Sequence, residues 1–369
     1  MTTNAALYPA ERLTVVAAAV REAGLSALLL TPGPDLRYVT GYDAKQLERL
    51  TCLAVPAVGD PFLLVPRLEL AAAQASPASG LGIETVAWGE TESPFGIMKE
   101  RLGPLGSVAL SDRMWALHVL QFRDAFPAAR QELASTVLSP LRIRKTPAEV
   151  SALREAGEAI DRVHAQVPGW LRAGRTEREV GARIAEAILA QGHVQVDFVI
   201  VASGPNAASP HHDVSDRVLG DGDVVVVDIG GTMPSGYCSD CTRMYAIGRP
   251  PADFAAYYEV LREAQESACE AVRPAVTAEA VDRAARDIIA KAGYGDWFIH
   301  RTGHGIGLES HEDPYIVEGN TTELAPGMAF SVEPGIYPGP HGARIEDILV
   351  CTAAGHERLN NAPRDLVIV

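Results

Sequence analysis

Four acidic residues lie in stretches whose other residues have the apolar, β-branched character of buried strands. Asp228 ends the run VVVVD, Asp240 lies in GYCSDCTRMY, and Glu333 and Glu346 interrupt AFSVEPGIY and ARIEDILV. An isolated carboxylate at a buried strand position costs several kcal/mol unless it is paired or bound to a cation. Four such positions in one part of the chain predict a shared compensating cation, and four negative charges favour a pair of divalent ions.

The donor types narrow the choice of cation. Four carboxylates and one imidazole form a hard, oxygen-rich set, which suits Mn²⁺, Fe²⁺, Co²⁺ or Zn²⁺ better than a thiolate site would. Taken singly, each acid also has an ordinary explanation as a turn cap, an exposed strand residue or an ion-pair partner. The metal hypothesis therefore depends on the recurrence of the same chemistry in four strand-like contexts.

Cys238 and Cys241 form a CxxC pair around Asp240, which raises the alternative of a zinc site. On a strand, Cys238 shares the face of Asp240 while Cys241 points to the opposite face. If Asp240 reaches the metal, the two thiols cannot readily chelate one ion together. We therefore predict that both cysteines are small packing residues.

The segment HRTGHGIGLESHEDP, residues 300–314, carries three of the ten histidines of the chain, at positions 300, 304 and 311. It lacks the HExxH pattern of a zinc-binding helix, and it matches neither the GxGxxG nor the GxxxxGK[ST] phosphate loop. Its histidines are therefore predicted to act together with residues from elsewhere in the chain.

Charge and cysteine content restrict the class of protein. The formal net charge of −15 disfavours nucleic acid or an anionic membrane as a partner, because both attract clusters of lysine and arginine. The apolar runs are too short for a membrane span, and the first residues lack the pattern of a secretory signal. Five scattered cysteines, an odd number, predict reduced thiols. A cytoplasmic protein is the expectation.

Two domains are predicted. Residues 1–140 alternate helical and strand patterns, as in a small α/β domain, and carry no cluster of chemically active residues. In residues 141–369, two capping boxes, Thr146 with Glu149 and Thr176 with Glu179, each begin an amphipathic helix. Strand-like runs follow, so we expect an α+β domain in which helices cover one side of a long, mostly antiparallel sheet.

The second domain resembles the pita-bread metallopeptidases, the group of prolidase, aminopeptidase P, methionine aminopeptidase and creatinase. The motifs GPNAASPHHDVSDR, VVVVDIGG, GYCSDCTR, HRTGHGIGLESHEDPYI, GMAFSVEPGIY and ARIEDILV occur in family order over residues 198–350. Bacterial Xaa-Pro dipeptidases are the most similar members. The N-terminal part resembles the creatinase-type N-terminal domain more loosely. The resemblance implies a pita-bread catalytic domain behind a smaller creatinase-like domain.

The resemblance also implies a ligand set and a mechanism. Asp240 and Glu346 would bridge two divalent ions, with Asp228 completing one site and His304 and Glu333 the other. Mn, Co and Zn are the expected metals, with Mn favoured. A water activated by the ions would attack the scissile carbonyl, and Glu333 would relay its proton to the leaving nitrogen.

Further residues acquire roles from the same resemblance. His211, after Pro210, matches a histidine on the substrate side, and His311 matches the histidine that hydrogen-bonds the developing oxyanion. With Glu333, these two are the implied catalytic residues. His300 matches a residue that lines the proline pocket, and Arg344 one that orients the site electrostatically. His212 is expected to be a bystander.

Two features depart from the family pattern. Asp228 and Asp240 are twelve positions apart where eleven is usual, and we expect the extra residue to lie in the turn GTMPSG. Tyr315 occupies the position at which some prolidases carry an arginine that helps to hold the C-terminal carboxylate of the substrate, which makes it a candidate substrate-binding residue. Another cation would then be needed, and Arg37 and Arg49 are candidates.

The activity that the resemblance implies is hydrolysis of the imide bond before proline, by an Xaa-Pro dipeptidase acting as a homodimer. Aminopeptidase P, which cleaves longer Xaa-Pro peptides, is the nearest alternative. A metal-independent creatinase-like hydrolase and a catalytically silent binding protein on the same fold are more remote, because members of those branches lose acidic ligands or substrate histidines that this chain retains.

Overall fold

The computed structural model describes residues 4–369 and divides the chain into two compact units, Met1–Arg142 and Ile143–Val369. Residues 1–3, part of the stretch in which no secretory pattern was found, lie outside the described residues. No helix among residues 4–369 combines the length and the apolarity needed to cross a bilayer. The prediction of a smaller α/β domain followed by an α+β domain is confirmed.

The N-terminal unit is built around one mixed sheet. Its six strands have the order β4-β3-β2-β1-β5-β6. The strands are β1 Ala27–Leu30, β2 Cys52–Pro56, β3 Phe62–Pro66, β4 Glu84–Trp88, β5 Ser107–Leu110 and β6 Arg130–Leu133. The helices are α1 Asn4–Leu7, α2 Glu11–Glu22, α3 Pro34–Thr40, α4 Leu70–Ala75, α5 Pro94–Leu102, α6 Ala116–Ala125 and α7 Ser135–Arg142. Strand β1 is buried at all four positions, as its unbroken apolar sequence ALLL predicts.

The C-terminal unit contains four long helices. They are α8 Pro147–His164, α9 Glu177–Ala190, α10 Phe254–Ala271 and α11 Ala278–Lys291. Both predicted capping boxes form: the side chains of Thr146 and Thr176 accept hydrogen bonds from the backbone of Glu149 and Glu179, whose carboxylates bond back. Local sequence therefore determines where α8 and α9 begin.

The strands of this unit form two main sheets and a short ribbon, not the single long sheet that was expected. Their bounds are β7 Gln195–Ser203, β8 Val224–Thr232, β9 Cys238–Ala246, β10 Gly303–Gly305, β11 Glu312–Ile316, β12 Ala329–Val332, β13 Gly335–Ile336, β14 Ala343–Arg344, β15 Asp347–Thr352, β16 Gly355–Arg358 and β17 Val367–Ile368. One sheet has the order β17-β9-β8-β7 and the other β11-β10-β12-β15-β16, with β13-β14 as a separate ribbon. Helices α8 and α9 pack on the first sheet, while α10 and α11 pack against each other and against strands of the other sheet and the ribbon.

The separation of the ribbon from the five-stranded sheet has a local cause. AFSVEPGIY forms β12 and β13 with Glu333 and Pro334 between them, and ARIEDILV forms β14 and β15 with Ile345 and Glu346 between them. Proline has no N–H to donate to a ladder, so Pro334 favours a break at that point. Glu333 and Glu346 were predicted to lie at strand positions; this was wrong, because both lie in the breaks between the five-stranded sheet and the ribbon.

Candidate metal centre and active site

The first pair of predicted ligands lies on the hairpin formed by β8 and β9. Asp228 is opposite Thr242, and Asp240 is opposite Gly230. Side chains of directly opposed residues project from the same face, so Asp228 and Asp240 lie diagonally on one face. The register is unbroken from Val224 to Thr232, which confirms that the extra residue between the two aspartates does not disturb the strands.

The other predicted ligands lie on or beside the three central strands of the five-stranded sheet, β10, β12 and β15. Val332 pairs with Asp347, so Glu333, directly after β12, and Glu346, directly before β15, lie side by side at the same end of the strand pair. His304 is the central residue of β10, which pairs with β12. Three neighbouring strands therefore carry or directly flank all three side chains.

Three of these side chains are close enough to share an ion. Asp240, His304 and Glu346 each offer a donor atom, and these atoms lie within 4.8 Å of one another. Glu333 joins the group through His304, whose Nε2 is 3.1 Å from Glu333 Oε1 and 3.8 Å from Asp240 Oδ2. Asp228 does not belong to the group of three; its Oδ2 accepts a short hydrogen bond from Arg344.

The buried carboxylates are incompletely neutralised by the described residues. Asp228 Oδ1 and Glu346 Oε1 are buried without a hydrogen-bond partner within the part of the chain that the structure describes. Burial, followed by repulsion from neighbouring carboxylates, raises the pKa of Asp240 and of Glu346 well above the usual values. Lone buried oxygens, and carboxyls whose charged form is disfavoured by burial and by neighbouring acids, are donors that an oxygen-binding divalent cation would compensate. The donor set fits divalent metal.

Glu333 differs from its neighbours in charge state. Burial alone would raise its pKa, but the hydrogen bond and charge of His304, together with Arg344, outweigh burial and lower the pKa to about 2. Ser331 Oγ donates to Glu333 Oε1 over 2.9 Å. Glu333 is therefore a carboxylate whose orientation is fixed by Ser331 and His304.

The predicted oxyanion residue His311 lies against the metal centre. Its ring centroid is 4.0 Å from that of His304. Burial, assisted by the charge of His304, lowers the pKa of His311 to about 4, so the imidazole is neutral near pH 7. A neutral ring can donate one N–H to an oxygen that becomes negative.

His300 and Arg344 are connected through a residue that the sequence analysis missed. The Tyr337 hydroxyl is 3.1 Å from His300 Nε2 and accepts from Arg344 Nη1 over 3.0 Å. Burial lowers the pKa of His300 and raises that of Tyr337. Nothing in the pattern GIYPG indicates this link, because it depends on how the segments that carry His300, Tyr337 and Arg344 pack together.

Two more supporting residues could have been found from strand periodicity. Thr242, two positions after Asp240, donates from Oγ1 to Glu346 Oε2 over 2.8 Å, and Ser331 lies two positions before Glu333. Residues two apart on a strand share a face. Strand periodicity was therefore sufficient to predict that Thr242 and Ser331 lie beside the acidic residues.

The remaining predicted residues are distributed around this centre. His211 is exposed, but its charge contributes to the lowered pKa values of His300 and His311. Arg344 Nη1 donates to Pro210 O over 3.1 Å, which ties the loop before His211 to the site. His212, expected to be a bystander, bonds Glu177 over 2.9 Å.

Outside this centre, the other candidates have local partners. Tyr315 is half-buried, with the Arg301 guanidinium 4.4 Å above its ring. In the N-terminal unit, Arg37 pairs with Asp43 over 3.2 Å and Arg49 with Glu48 over 2.9 Å. Cys238 and Cys241 are buried free thiols.

Comparison with known proteins gives a consistent picture. Residues 151–353 match the model of metallopeptidase family M24, and residues 12–144 match that of the creatinase/prolidase N-terminal domain. A probable dipeptidase, PepE, of Mycobacterium tuberculosis is 54% identical over 363 residues, which cover 98% of this chain and 96% of that protein. An Xaa-Pro dipeptidase of Lactobacillus helveticus is 38% identical over 343 residues, with 90% and 92% coverage. The crystal structure of dipeptidase PepE from Mycobacterium ulcerans superimposes with a TM-score of 0.94 at 53% identity and covers 100% of both chains.

Proposed function

Because this chain belongs to metallopeptidase family M24, we propose that it is an Xaa-Pro dipeptidase, which hydrolyses the imide bond before proline. The names of its relatives support the dipeptidase activity. The structural observation that carries the proposal is the buried cluster of carboxylates around His304, with lone oxygens on Asp228 and Glu346. A buried cluster of carboxylates contributes nothing to apolar packing, and it destabilises the fold unless cations compensate its charge.

Five side chains are proposed to hold two divalent ions. Asp228, Asp240, His304, Glu333 and Glu346 would hold the ions when these are bound. The predominance of oxygen donors favours Mn over Co or Zn. When bound, the ions polarise the substrate carbonyl and make a water molecule acidic near neutral pH.

Glu333 is proposed to transfer the proton. The imide nitrogen before proline carries no hydrogen, so it must be protonated before it can leave. Glu333 takes a proton from the attacking water and delivers it to that nitrogen. The hydrogen bond that Ser331 Oγ donates to Glu333 Oε1 orients the carboxylate for this task.

Histidines are proposed to bind the substrate around the reacting carbonyl. His311, neutral and 4.0 Å from the His304 ring, donates an N–H to the developing oxyanion. His211 and His300 contact the proline side. Arg344 keeps Asp228 in place and links it to His300 through the Tyr337 hydroxyl.

The test is hydrolysis by metal-stripped protein that is reloaded separately with Mn²⁺, Co²⁺ or Zn²⁺. The substrates are Ala-Pro and the same sequence extended by one residue. We expect cleavage of Ala-Pro, with the highest rate for Mn²⁺, and slow cleavage of the tripeptide. Preference for the tripeptide would make the protein an aminopeptidase P, and failure to cleave either with any metal would refute the peptidase assignment.

We also propose an oligomeric state and a cellular location. The resemblance to prolidases supports a homodimer, which light scattering coupled to size-exclusion chromatography would measure directly. Five free buried cysteines favour a reducing compartment such as the cytoplasm. Fractionation of the native cell would test the location.

A further inference from the structure

Three cationic side chains of the C-terminal unit lie near the predicted substrate histidines, and they differ in whether a carboxylate pairs with them. Arg344 is paired with Asp228, and Lys145 Nζ lies 2.6 Å from Glu312 Oε1 in a buried ion pair. Within residues 4–369, the Arg301 guanidinium has neither a carboxylate partner nor a side-chain hydrogen bond. A partly buried guanidinium with free N–H groups is able to bind an anion.

The position of Arg301 is determined by its neighbours. The Thr302 backbone N–H donates to Ile316 O over 3.0 Å, which sets the segment before β10 beside β11. Arg301 and Tyr315 are therefore neighbours, and the guanidinium carbon lies 4.4 Å from the Tyr315 ring centroid. This cation–π contact orients the guanidinium without using its hydrogen-bond donors.

Arg301 also lies between the two histidines expected to contact substrate. It directly follows His300, whose Nδ1 is 2.7 Å from Arg301 O. Its contact partner Tyr315 is on β11, which begins directly after His311. The guanidinium therefore lies beside the segments that carry both histidines.

We propose that Arg301, held against Tyr315, binds the C-terminal carboxylate of an Xaa-Pro dipeptide and so determines dipeptide specificity. This inference rests on the proposed function. In a dipeptide the carboxylate belongs to the proline itself, one residue beyond the scissile carbonyl, so its cation must lie beside the residues that contact the proline. A longer peptide presents a neutral amide at the same place, which a guanidinium binds less well.

The experiment compares Ala-Pro with Ala-Pro-amide, which lacks the carboxylate. We expect Arg301→Gln to raise KM for Ala-Pro about 10- to 100-fold, with kcat changed much less and with hydrolysis of the amide unaltered. Arg301→Lys restores part of the loss, because it keeps the charge without the fork of donors. Arg183→Gln, at an exposed arginine of α9, is the control and should leave KM for both substrates unchanged, whereas Tyr315→Leu gives an intermediate increase in KM for Ala-Pro.

A second readout separates this proposal from the proposed function. Calorimetric titration with L-proline and prolinamide measures carboxylate recognition without turnover, and Arg301→Gln should weaken only proline binding. An equal loss on both substrates, or unchanged kinetics and unchanged proline binding in Arg301→Gln, would overturn the proposal. Wild-type protein that cleaves neither substrate but binds proline through Arg301 would refute the peptidase assignment while supporting the anion site.

Discussion

At the scale of single residues, the largest concentration of hydrogen bonds near the site is on Glu177, which the sequence analysis did not select. Its carboxylate accepts from Ser203, Asn206, Ser215 and His212 at 2.6–3.2 Å. Its side chain is fully buried. These bonds hold residues before and after His211 against one carboxylate. Glu177 therefore fixes the segment on which the proposed substrate binding by His211 depends.

Glu177 provides a prediction on the pH dependence of stability. Burial by itself would raise its pKa, but the hydrogen bonds from Ser215 and Ser203 outweigh burial and lower the pKa from 4.5 to about 2. Because the folded pKa lies below the unfolded one, the stabilisation is complete above pH 4.5 and is lost as pH falls towards 2. Its size is on the order of 3 kcal/mol.

We expect Glu177→Gln to be less stable than wild type near pH 7, with the pH-dependent part of that difference shrinking as pH is lowered from about 5 to 3. Urea unfolding at a series of pH values measures the difference. Glu186→Gln, an exposed change on the same helix, is the control and should show little effect at any pH. A difference in stability that does not vary with pH would contradict the assigned ionisation.

At the scale of secondary-structure elements, helix α11 holds the segment that leads into β10. Arg286 forms a two-pronged ion pair with Asp282 at 2.8 and 2.9 Å and donates to the carbonyls of Phe298 and His300 at 3.1 and 3.0 Å. Asp282 Oδ1 accepts from the backbone and the hydroxyl of Thr302 at 3.2 and 2.7 Å. Arg286 and Asp282 therefore form a clamp that fixes the backbone on both sides of Arg301.

The hydrogen bonds of Asp282 also affect the position of Glu333, which directly follows β12. Thr302 O accepts from the Glu333 backbone N–H over 2.7 Å, so the position of Glu333 depends on the segment that Asp282 holds. Small displacements of reacting groups lower rates strongly. A helix that contributes no predicted ligand thereby positions both a substrate histidine and a proton carrier.

We predict that Arg286→Lys lowers kcat/KM for Ala-Pro about 10- to 100-fold, because an ammonium cannot replace the planar fork that spans Asp282 and two carbonyls. The metal content and the melting temperature should change little. Arg283→Lys, an exposed substitution on the same helix, is the matched control and should be neutral. Loss of metal, or an activity loss no larger than the fraction of unfolded protein, would show that the clamp serves stability alone.

At the scale of the whole molecule, the carboxylate cluster links metal binding to stability. Ligands that bind only the folded state stabilise it by an amount that grows with the logarithm of their concentration, about 2.7 kcal/mol at one hundred times Kd. Asp240 and Glu346 remain costly in the metal-free protein, because each is buried beside other acids. We therefore expect Mn²⁺ to raise the melting temperature of the metal-stripped protein by several degrees.

Asp240→Asn is the diagnostic variant for this prediction. Without metal it should be at least as stable as wild type, since it removes one of several mutually repelling carboxyls, yet it should gain almost nothing from Mn²⁺. Calorimetric melting with and without metal gives both values. An equal gain in wild type and variant would mean that the stabilising ion binds elsewhere.

The amino-acid sequence was sufficient for the family, the fold class, and the beginnings of α8 and α9, because these depend on local patterns. Capping boxes act within one helical turn, and alternating or continuous apolar residues report strand burial directly. The resemblance to pita-bread metallopeptidases is confirmed by the family match. The roles of Asp228, Asp240, His304, Glu333 and Glu346 stay predictions until metal binding is measured.

Tertiary structure decided what depends on residues far apart in the chain. It divided the expected single sheet into two, placed both glutamates at strand breaks, and joined Tyr337 to His300 and Arg344. It also placed Arg301 against Tyr315. The sequence analysis had instead named Arg37 and Arg49 of the first domain as candidates to hold the substrate carboxylate. Strand pairing, which fixes such distances, arises from packing over the whole domain and leaves no local signal at the residues that it brings together.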